Sequence, residues 1–320
     1  MAAPSAAKNP ARMNEHGVAA AASRAAPGRA LAWWLALRPW SFTISLAPIL
    51  AGTALAVLDG HRPDLVVAAV TLVACVLIHA GTNLQNDVGD FRRGADVTGR
   101  VGPPRVTTQG WLPARDVQAA AALSFALALL PGLWLAVHGG WPIVVIGLAS
   151  IAAGAAYTAG HRPVAYSGWG EAFVIVFFGI VAVPGMYYLH VGRVASAPLL
   201  AGAALGLLAA AVLVVNNIRD IDSDRRVGKN TLAVRLGRRF SVGEYAVLLH
   251  LPFALAVALA HTEDRVLVAA PLVLLPWASS LAQRVHRQPA GAGLNAVLAA
   301  TAKLGLAYAV LLSAGALVQI

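Results

Sequence analysis

Charge is scarce in this chain and cysteine is almost absent. Only 12% of its 320 residues are Asp, Glu, Lys or Arg, against 58% that are hydrophobic, whereas an ordinary soluble domain carries roughly 25% charged residues. That deficit excludes a water-soluble globular protein, and the bilayer must serve as solvent. The single cysteine, Cys75, lies inside an apolar run, which excludes an intrachain disulfide and a cysteine-based metal centre. No segment between the apolar runs reads as a separate soluble domain. Acids are fewer than bases, 14 against 24. The cations occupy short segments between apolar runs, where they orient helices and meet anionic headgroups. The expected partner is therefore the lipid bilayer and not nucleic acid.

Residues 1–30 also lack an apolar core. They are Ala-rich, with Lys8, Arg12, Arg24 and Arg29 among Pro and Gly, and read as a disordered cytoplasmic tail. A secretory signal would need a continuous apolar segment before Leu31, although the shortage of acids leaves an organellar transit peptide open. Met13 is an alternative start.

From residue 31 to 320 the chain reads as one all-α, polytopic membrane domain. At about 20 residues per span, broken at polar, Pro and Gly clusters, nine helices are expected near 42–58, 65–86, 117–137, 141–159, 171–191, 197–217, 240–260, 266–282 and 294–317. Ahead of the first, Trp33, Trp34 and Trp40 with Arg38-Pro39 form an expected interfacial turn, since indole rings favour the headgroup layer. Twenty Lys and Arg fall on the tail and on the segments after the second, fourth, sixth and eighth runs, whereas the opposite side carries only Arg62, Arg193 and Arg265. That bias places the N-terminus and both long loops in the cytoplasm and the C-terminus outside.

The scarce acids are not spread evenly. The end of the second run reads Asn83-Leu-Gln-Asn86-Asp87-Val-Gly-Asp90-Phe-Arg92-Arg93-Gly94-Ala-Asp96, and the end of the sixth reads Asn216-Asn217-Ile-Arg219-Asp220-Ile-Asp222-Ser-Asp224-Arg225-Arg226-Val-Gly228-Lys229-Asn230. These two segments hold six of the fourteen acids, with Asp116 a little beyond the first. Spacings of three and four put Asn83, Asn86 or Asp87, and Asp90 on one helical stripe, and Asn217, Asp220 and Asp224 on another. Carboxylates crowded at a membrane boundary repel one another and are costly to desolvate unless a cation neutralises them. Hard oxygen donors suit Mg²⁺, which completes its shell with water and phosphate oxygens. The interleaved Arg and Lys supply counter-charge for a diphosphate. Paired motifs of this kind describe a clamp for a metal-bound diphosphate. Two other readings stay open: loop-end acids paired with nearby arginines, and an ion-transport path.

These residues resemble the UbiA superfamily of intramembrane prenyltransferases. Asp220 and Asp224 fit its second D-x-x-x-D frame. Asp87 and Asp90 fit the first, but Gly94 stands where a third acid is common and the next acid is Asp96. That departure resembles the 1,4-dihydroxy-2-naphthoate polyprenyltransferase branch. So do Val101-Gly102-Pro103-Pro104-Arg105, Tyr157-Thr158-Ala159-Gly160-His161-Arg162-Pro163, Gly168-Trp169-Gly170-Glu171 followed by Phe177-Phe178-Gly179, and Gly228-Lys229-Asn230-Thr231-Leu232.

The resemblance implies a nine-helix bundle in which Asp87, Asp90, Asp220 and Asp224 hold Mg²⁺, supported by Asn83, Asn86 and Asn217, with Asp96 and Asp222 behind them. It also implies that Arg105, Arg225 and Lys229 grip a polyprenyl diphosphate, and that 1,4-dihydroxy-2-naphthoate accepts the prenyl group with loss of CO₂ and diphosphate to give a demethylmenaquinol. Other aromatic acceptors, 4-hydroxybenzoate or homogentisate, stay open. Tyr157 and Tyr166 are candidates to orient the acceptor or steady an allylic cation, and Arg162 and His161 to bind a carboxylate. Lys303 is ionisable within the last run and so a functional pointer, with snorkelling or pairing in the bundle as the other reading. His79 is expected to be buried and hydrogen-bonded, and His250 is given no role.

Overall fold

In hydrocarbon a backbone must satisfy its own amides, so apolar runs of this length close into helices. The computed structural model describes residues 27–94, 101–160 and 163–318, and no strand occurs among them. Residues 1–26 of the expected tail lie outside the described residues, and helix already begins at Arg29.

The elements are α1 (Arg29–Leu37), a 3₁₀ turn (Pro39–Phe42), α2 (Thr43–Leu58), α3 (Leu65–Arg92), α4 (Ala114–Gly139), α5 (Trp141–Ala156), α6 (Gly170–Val191), α7 (Ser196–Arg219), the short α8 (Ile221–Arg226), α9 (Leu232–Thr262), α10 (Val266–Arg287) and α11 (Leu294–Leu317). Eight spans, counting α1 with α2, are long and apolar enough to cross a membrane, and α5 is a ninth, shorter apolar helix among the described residues. The fold is an all-α, multi-pass membrane bundle.

Several boundaries differ from expectation for local reasons. The anticipated interfacial turn is a real helix, α1, which ends where Arg38 takes a left-handed conformation ahead of Pro39. Helix α9 starts eight residues early, at Leu232, because Thr231 caps it by accepting from the Val234 amide. Gly237, at φ +81°, then breaks it before the apolar stretch. The first half of α10 winds as 3₁₀ helix over Val266–Leu274, and α6 carries a π-helical turn over Val176–Val181.

Lipid offers no hydrophobic drive between helices, so close packing of small residues and satisfied hydroxyls hold the bundle together. A Cβ on Gly179 would sit 2.3 Å from the Gly202 carbonyl oxygen and 2.7 Å from the Gly206 Cα, so α6 and α7 touch backbone to backbone. Three buried tyrosines pin the core. Tyr245 and Thr301 share a 2.7 Å hydroxyl bond, Tyr308 donates to the Pro252 carbonyl at 2.7 Å, and Tyr187 donates to Asp59 at 2.6 Å. Successive spans alternate in direction, so the ends of α3 and α7 and the starts of α4 and α11 meet at one face. Asn295, on the first turn of α11, confirms this by accepting from Arg219 and donating to the Val101 carbonyl.

Candidate active site

At that face the helices part around a cavity of about 1020 Å³. Its polar end is lined by Asn86, Asp90, Arg105, Asn216, Asn217, Arg219, Asp220, Asp224, Lys229 and Glu171. Its apolar part runs past Phe173, Phe177 and Phe178 to Ile143, Met186 and Leu189, which sit near the opposite ends of α5 and α6. The cavity therefore extends along most of the membrane depth, charged at one end and greasy along the rest.

The first acidic segment arrives on an unbroken helix, and that fixes which side chains reach the cavity. Residues advance 100° each, so Asn86 and Asp87 point about 100° apart. Asn86 and Asp90, one turn apart, line the cavity. Asn86 is held by the Thr158 hydroxyl at 2.8 Å, and Asp90 accepts from the Arg105 guanidinium and, at 2.9 Å, from the Tyr166 hydroxyl. Asp87 turns instead into the loop after α3. There it accepts from the Thr107 amide at 3.1 Å, the Val106 amide at 3.3 Å and the Thr107 hydroxyl, with Arg38 at 3.9 Å. Asp87 is buried and does not line the cavity. Asn83 donates to the Leu37 carbonyl and the Ser41 hydroxyl, tying α1 to α3.

In the second segment the helix ends instead of continuing. Asp220 is the C-cap of α7 and the N-cap of α8, so the chain is re-aimed and both Asp220 and Asp224 line the cavity. Arg219, almost wholly buried, grips Asp220 with two bonds of 2.8 and 2.6 Å and also donates to Asn216 and Asn295. Gly228, at φ +70°, turns the chain back so that Lys229 meets Asp224 at 3.4 Å. Asn217 donates to Glu171 at 2.7 Å.

Tyr166 joins the two halves. Its hydroxyl is on Asp90, its ring lies under Arg93 at 5.1 Å and Lys229 at 5.7 Å, and its carbonyl accepts from the Asn230 amide. Burial and the neighbouring Asp90 charge hold its phenol far above the usual range, so it stays a donor. Burial, reinforced by the charges of Asp220 and Asp90 and opposed by Lys229, pushes the Asp224 carboxyl up to about 6.

The state of the site's oxygens bears on whether it suits a divalent cation. The Asp224 Oδ2 atom is buried and has no hydrogen-bond partner among the described residues, and a carboxylate held that way is stabilised by an added positive charge. Carboxylate and amide oxygens from both segments are the hard donors that Mg²⁺ takes alongside water and phosphate. The residues fit.

Most, but not all, of the residues singled out in the sequence come together. Asn86, Asp90, Arg105, Tyr157, Asn217, Asp220, Asp224 and Lys229 line one cavity, as does Asn83. Four do not line it: Asp87, turned into its loop; Tyr166, which reaches the site through its bond to Asp90; and Asp222 and Arg225, which are exposed and lie 3.7 Å apart. Asp96, His161 and Arg162 lie outside the described residues. His79 is buried and held by Ser45 at 2.8 Å and Ser41 at 3.2 Å, as expected. Sequence reasoning passed over Arg219, Arg38 and Glu171. Arg219 reads in the sequence only as one of the interleaved counter-charges and Arg38 only as part of an interfacial turn. Spacing held a signal for Arg219, since it follows Asn216 by three residues on the cavity side.

The sequence profile of the UbiA prenyltransferase family matches residues 45–304. Among curated proteins, the 1,4-dihydroxy-2-naphthoate octaprenyltransferase of Escherichia coli is 42% identical over 65% of this chain and 70% of its own length. That of Haemophilus influenzae is 32% identical over 89% of this chain and 96% of its own. Among solved structures, a UbiA homolog from Archaeoglobus fulgidus bound to GPP and Mg²⁺ superposes with a TM-score of 0.67 at 18% identity, covering 88% of this chain and 99% of that one. An apo UbiA homolog from Aeropyrum pernix gives 0.66 over 87% and 97%. With a family match across most of the chain and relatives above 30% identity over 70% or more of their own length, the chain belongs to the UbiA prenyltransferase family.

Proposed function

We propose that the protein transfers a polyprenyl group from polyprenyl diphosphate to 1,4-dihydroxy-2-naphthoate, with loss of CO₂ and diphosphate, giving a demethylmenaquinol for menaquinone synthesis. The observation that carries this reading is the cavity itself: one end concentrates acids and cations suited to a metal-bound diphosphate, and the rest is an apolar channel suited to a prenyl chain. The names of the relatives supply the acceptor.

Asp90, Asp220 and Asp224, with Asn86, are the residues that would hold Mg²⁺. The ion, when bound, supplies charge that offsets the negative charge on the departing diphosphate. Arg105, Arg219 and Lys229, which now neutralise those same carboxylates, are placed to turn to the diphosphate oxygens and stabilise the same charge. Arg225, from its exposed position, is left to the outer loop. As the C–O bond to the diphosphate breaks, the allylic cation is flanked by the π faces of Tyr157, Phe173 and Phe177, whose ring centroids follow one another at 5.6 and 4.6 Å. The ring carbon bearing the carboxylate bonds to the allylic carbon. The bond to CO₂ then breaks, and its electron pair restores the aromatic ring. Tyr157 and Arg162 are assigned to the acceptor side. Asp87 anchors the loop that carries Arg105. The excess of Lys and Arg on this face supports a cytoplasmic orientation for it, with the bundle in a cell membrane.

The test is purified protein in nanodiscs with polyprenyl diphosphate, Mg²⁺ and either 1,4-dihydroxy-2-naphthoate or 4-hydroxybenzoate, with and without chelator. Chelator-sensitive prenylation of the naphthoate alone is the expected result. Prenylation of 4-hydroxybenzoate alone would overturn the acceptor, and charge movement without diphosphate release would restore the transport reading.

A further inference from the structure

Among the described residues, Lys303 is the Lys or Arg set deepest in a membrane-crossing helix, nine residues from the start of α11. It makes no hydrogen bond or ion pair with any of them. An unpaired ammonium at this depth is costly and is retained where something pairs with it. Its surroundings show where that partner enters. Asn295, Ala299, Ala302 and Lys303 form one stripe of α11 along the cavity, and Ala299 and Lys303 are exposed to the outside as well. Thr43 and Ile44, on the first turn of α2, share a small recess with Ala302, so the two helices face each other at the depth of Lys303. Trp40, 48% exposed, lines the same cavity just before α2 begins. The cavity therefore has a mouth between α2 and α11 at which Lys303 stands; Arg38, two residues before Trp40, also lines the cavity but lies 3.9 Å from Asp87. The cavity acids Asp90, Asp220, Asp224 and Glu171 are all engaged with other residues at the polar end, so none neutralises Lys303.

We infer that Lys303 is a docking cation for the carboxylate of the aromatic acceptor as it enters the cavity from the bilayer. The inference rests on the proposed acceptor and adds to it a specificity-determining contact. A carboxylate on a flat apolar body can reach a cation set about 12 Å below Asn295. A phospholipid phosphate stays at headgroup level, so the depth of Lys303 favours the small aromatic acid. Asn295 stands between this mouth and the reaction end, since it is bonded to Arg219. An acid released by Lys303 thus moves toward the cations at the polar end.

The probe is fluorescent 1-hydroxy-2-naphthoate, with 1-naphthol as the same body without the carboxylate, titrated onto the protein in zwitterionic nanodiscs. Lys303→Met is expected to weaken naphthoate binding about tenfold, the size of one lost charge-assisted contact. Naphthol binding should not change, and Lys303→Arg should restore the naphthoate. In turnover the Met variant should raise KM for the acceptor and leave kcat and the KM for prenyl diphosphate unchanged. Equal naphthoate affinity in wild type and Lys303→Met overturns the inference. So does Lys303-dependent competition by phosphatidylglycerol without Lys303-dependent naphthoate binding, which would make this a lipid-phosphate site. Lys303-dependent binding without turnover of the dihydroxynaphthoate would sink the proposed reaction and keep the docking site. Normal turnover with unchanged KM in Lys303→Met would do the reverse.

Discussion

The two acidic segments look like copies of one another in sequence, yet they are built differently. In the first, an unbroken α3 carries the motif out of the membrane, and helical geometry sends Asn86 and Asp90 to the cavity and Asp87 to the loop. In the second, α7 stops at Asp220 and α8 restarts, so both aspartates of the D-x-x-x-D frame reach the cavity. The lesson is that a shared spacing marks a shared location and leaves the division of labour to the backbone. One segment spends an aspartate on holding Arg105 in place. The other relies on Arg219, locked to Asp220 and braced by Asn216 and Asn295.

The largest effect should separate the two kinds of aspartate. Asp220→Asn or Asp224→Asn is expected to lower turnover by about 10³-fold or more, since in the proposed reaction each removes charge from the place where metal and departing diphosphate meet. Both proteins should still insert and melt cooperatively. Asp87→Ala should act through the fold. It leaves the Val106 and Thr107 amides and Arg38 short of an acceptor, so a loss of about 2 kcal/mol in stability is expected, visible as a lower Tm in detergent, with a smaller fall in turnover as Arg105 drifts. Similar kinetic losses at Asp87 and Asp220, without a stability difference, would erase the distinction.

A middle-sized effect should come from the seam between the segments. A Cβ on Gly102 would lie 2.6 Å from the Arg219 guanidinium. Gly102→Val should therefore push Arg219 off Asp220 and weaken prenyl diphosphate binding by about tenfold, the worth of a charge-assisted contact. Tyr166→Phe keeps the ring beneath Arg93 and Lys229 but loses the bond to Asp90, so a severalfold fall in kcat is expected, with a larger one for Tyr166→Leu.

The smallest effect is one of pH and belongs to the second segment. The Asp224 carboxyl, raised to about 6, carries a proton below that pH and is charged above it. A cation needs the charged form. The Mg²⁺ concentration for half-maximal activity should therefore climb as pH falls through 6, by about tenfold per unit for a single competing proton. Asp224→Asn should abolish that dependence.

Much of this was legible in the sequence because membrane helices announce themselves. Nine apolar runs became eight membrane-length spans and one shorter apolar helix among the described residues, and the concentration of scarce acids at two helix ends pointed to the candidate site. What could not be read was rotation. The resemblance gave the metal to Asp87 and only a supporting part to its neighbour Asn86, and the position of the loop at Val106 and Thr107 reverses that. Arg219 and Arg38 were hidden among charges that also orient helices. The near-symmetric spacing of the two motifs gave no hint that one helix runs on while the other is broken at Asp220.

The account turns on Asp224 touching the metal-bound diphosphate and Asp87 not doing so. The direct measurement is calorimetric titration of a non-reactive prenyl thiolodiphosphate into wild type, Asp224→Asn and Asp87→Asn, each with and without Mg²⁺. The account predicts that Mg²⁺ strengthens binding in wild type and in Asp87→Asn and has little effect in Asp224→Asn. Loss of the Mg²⁺ effect in Asp87→Asn with its retention in Asp224→Asn would contradict it.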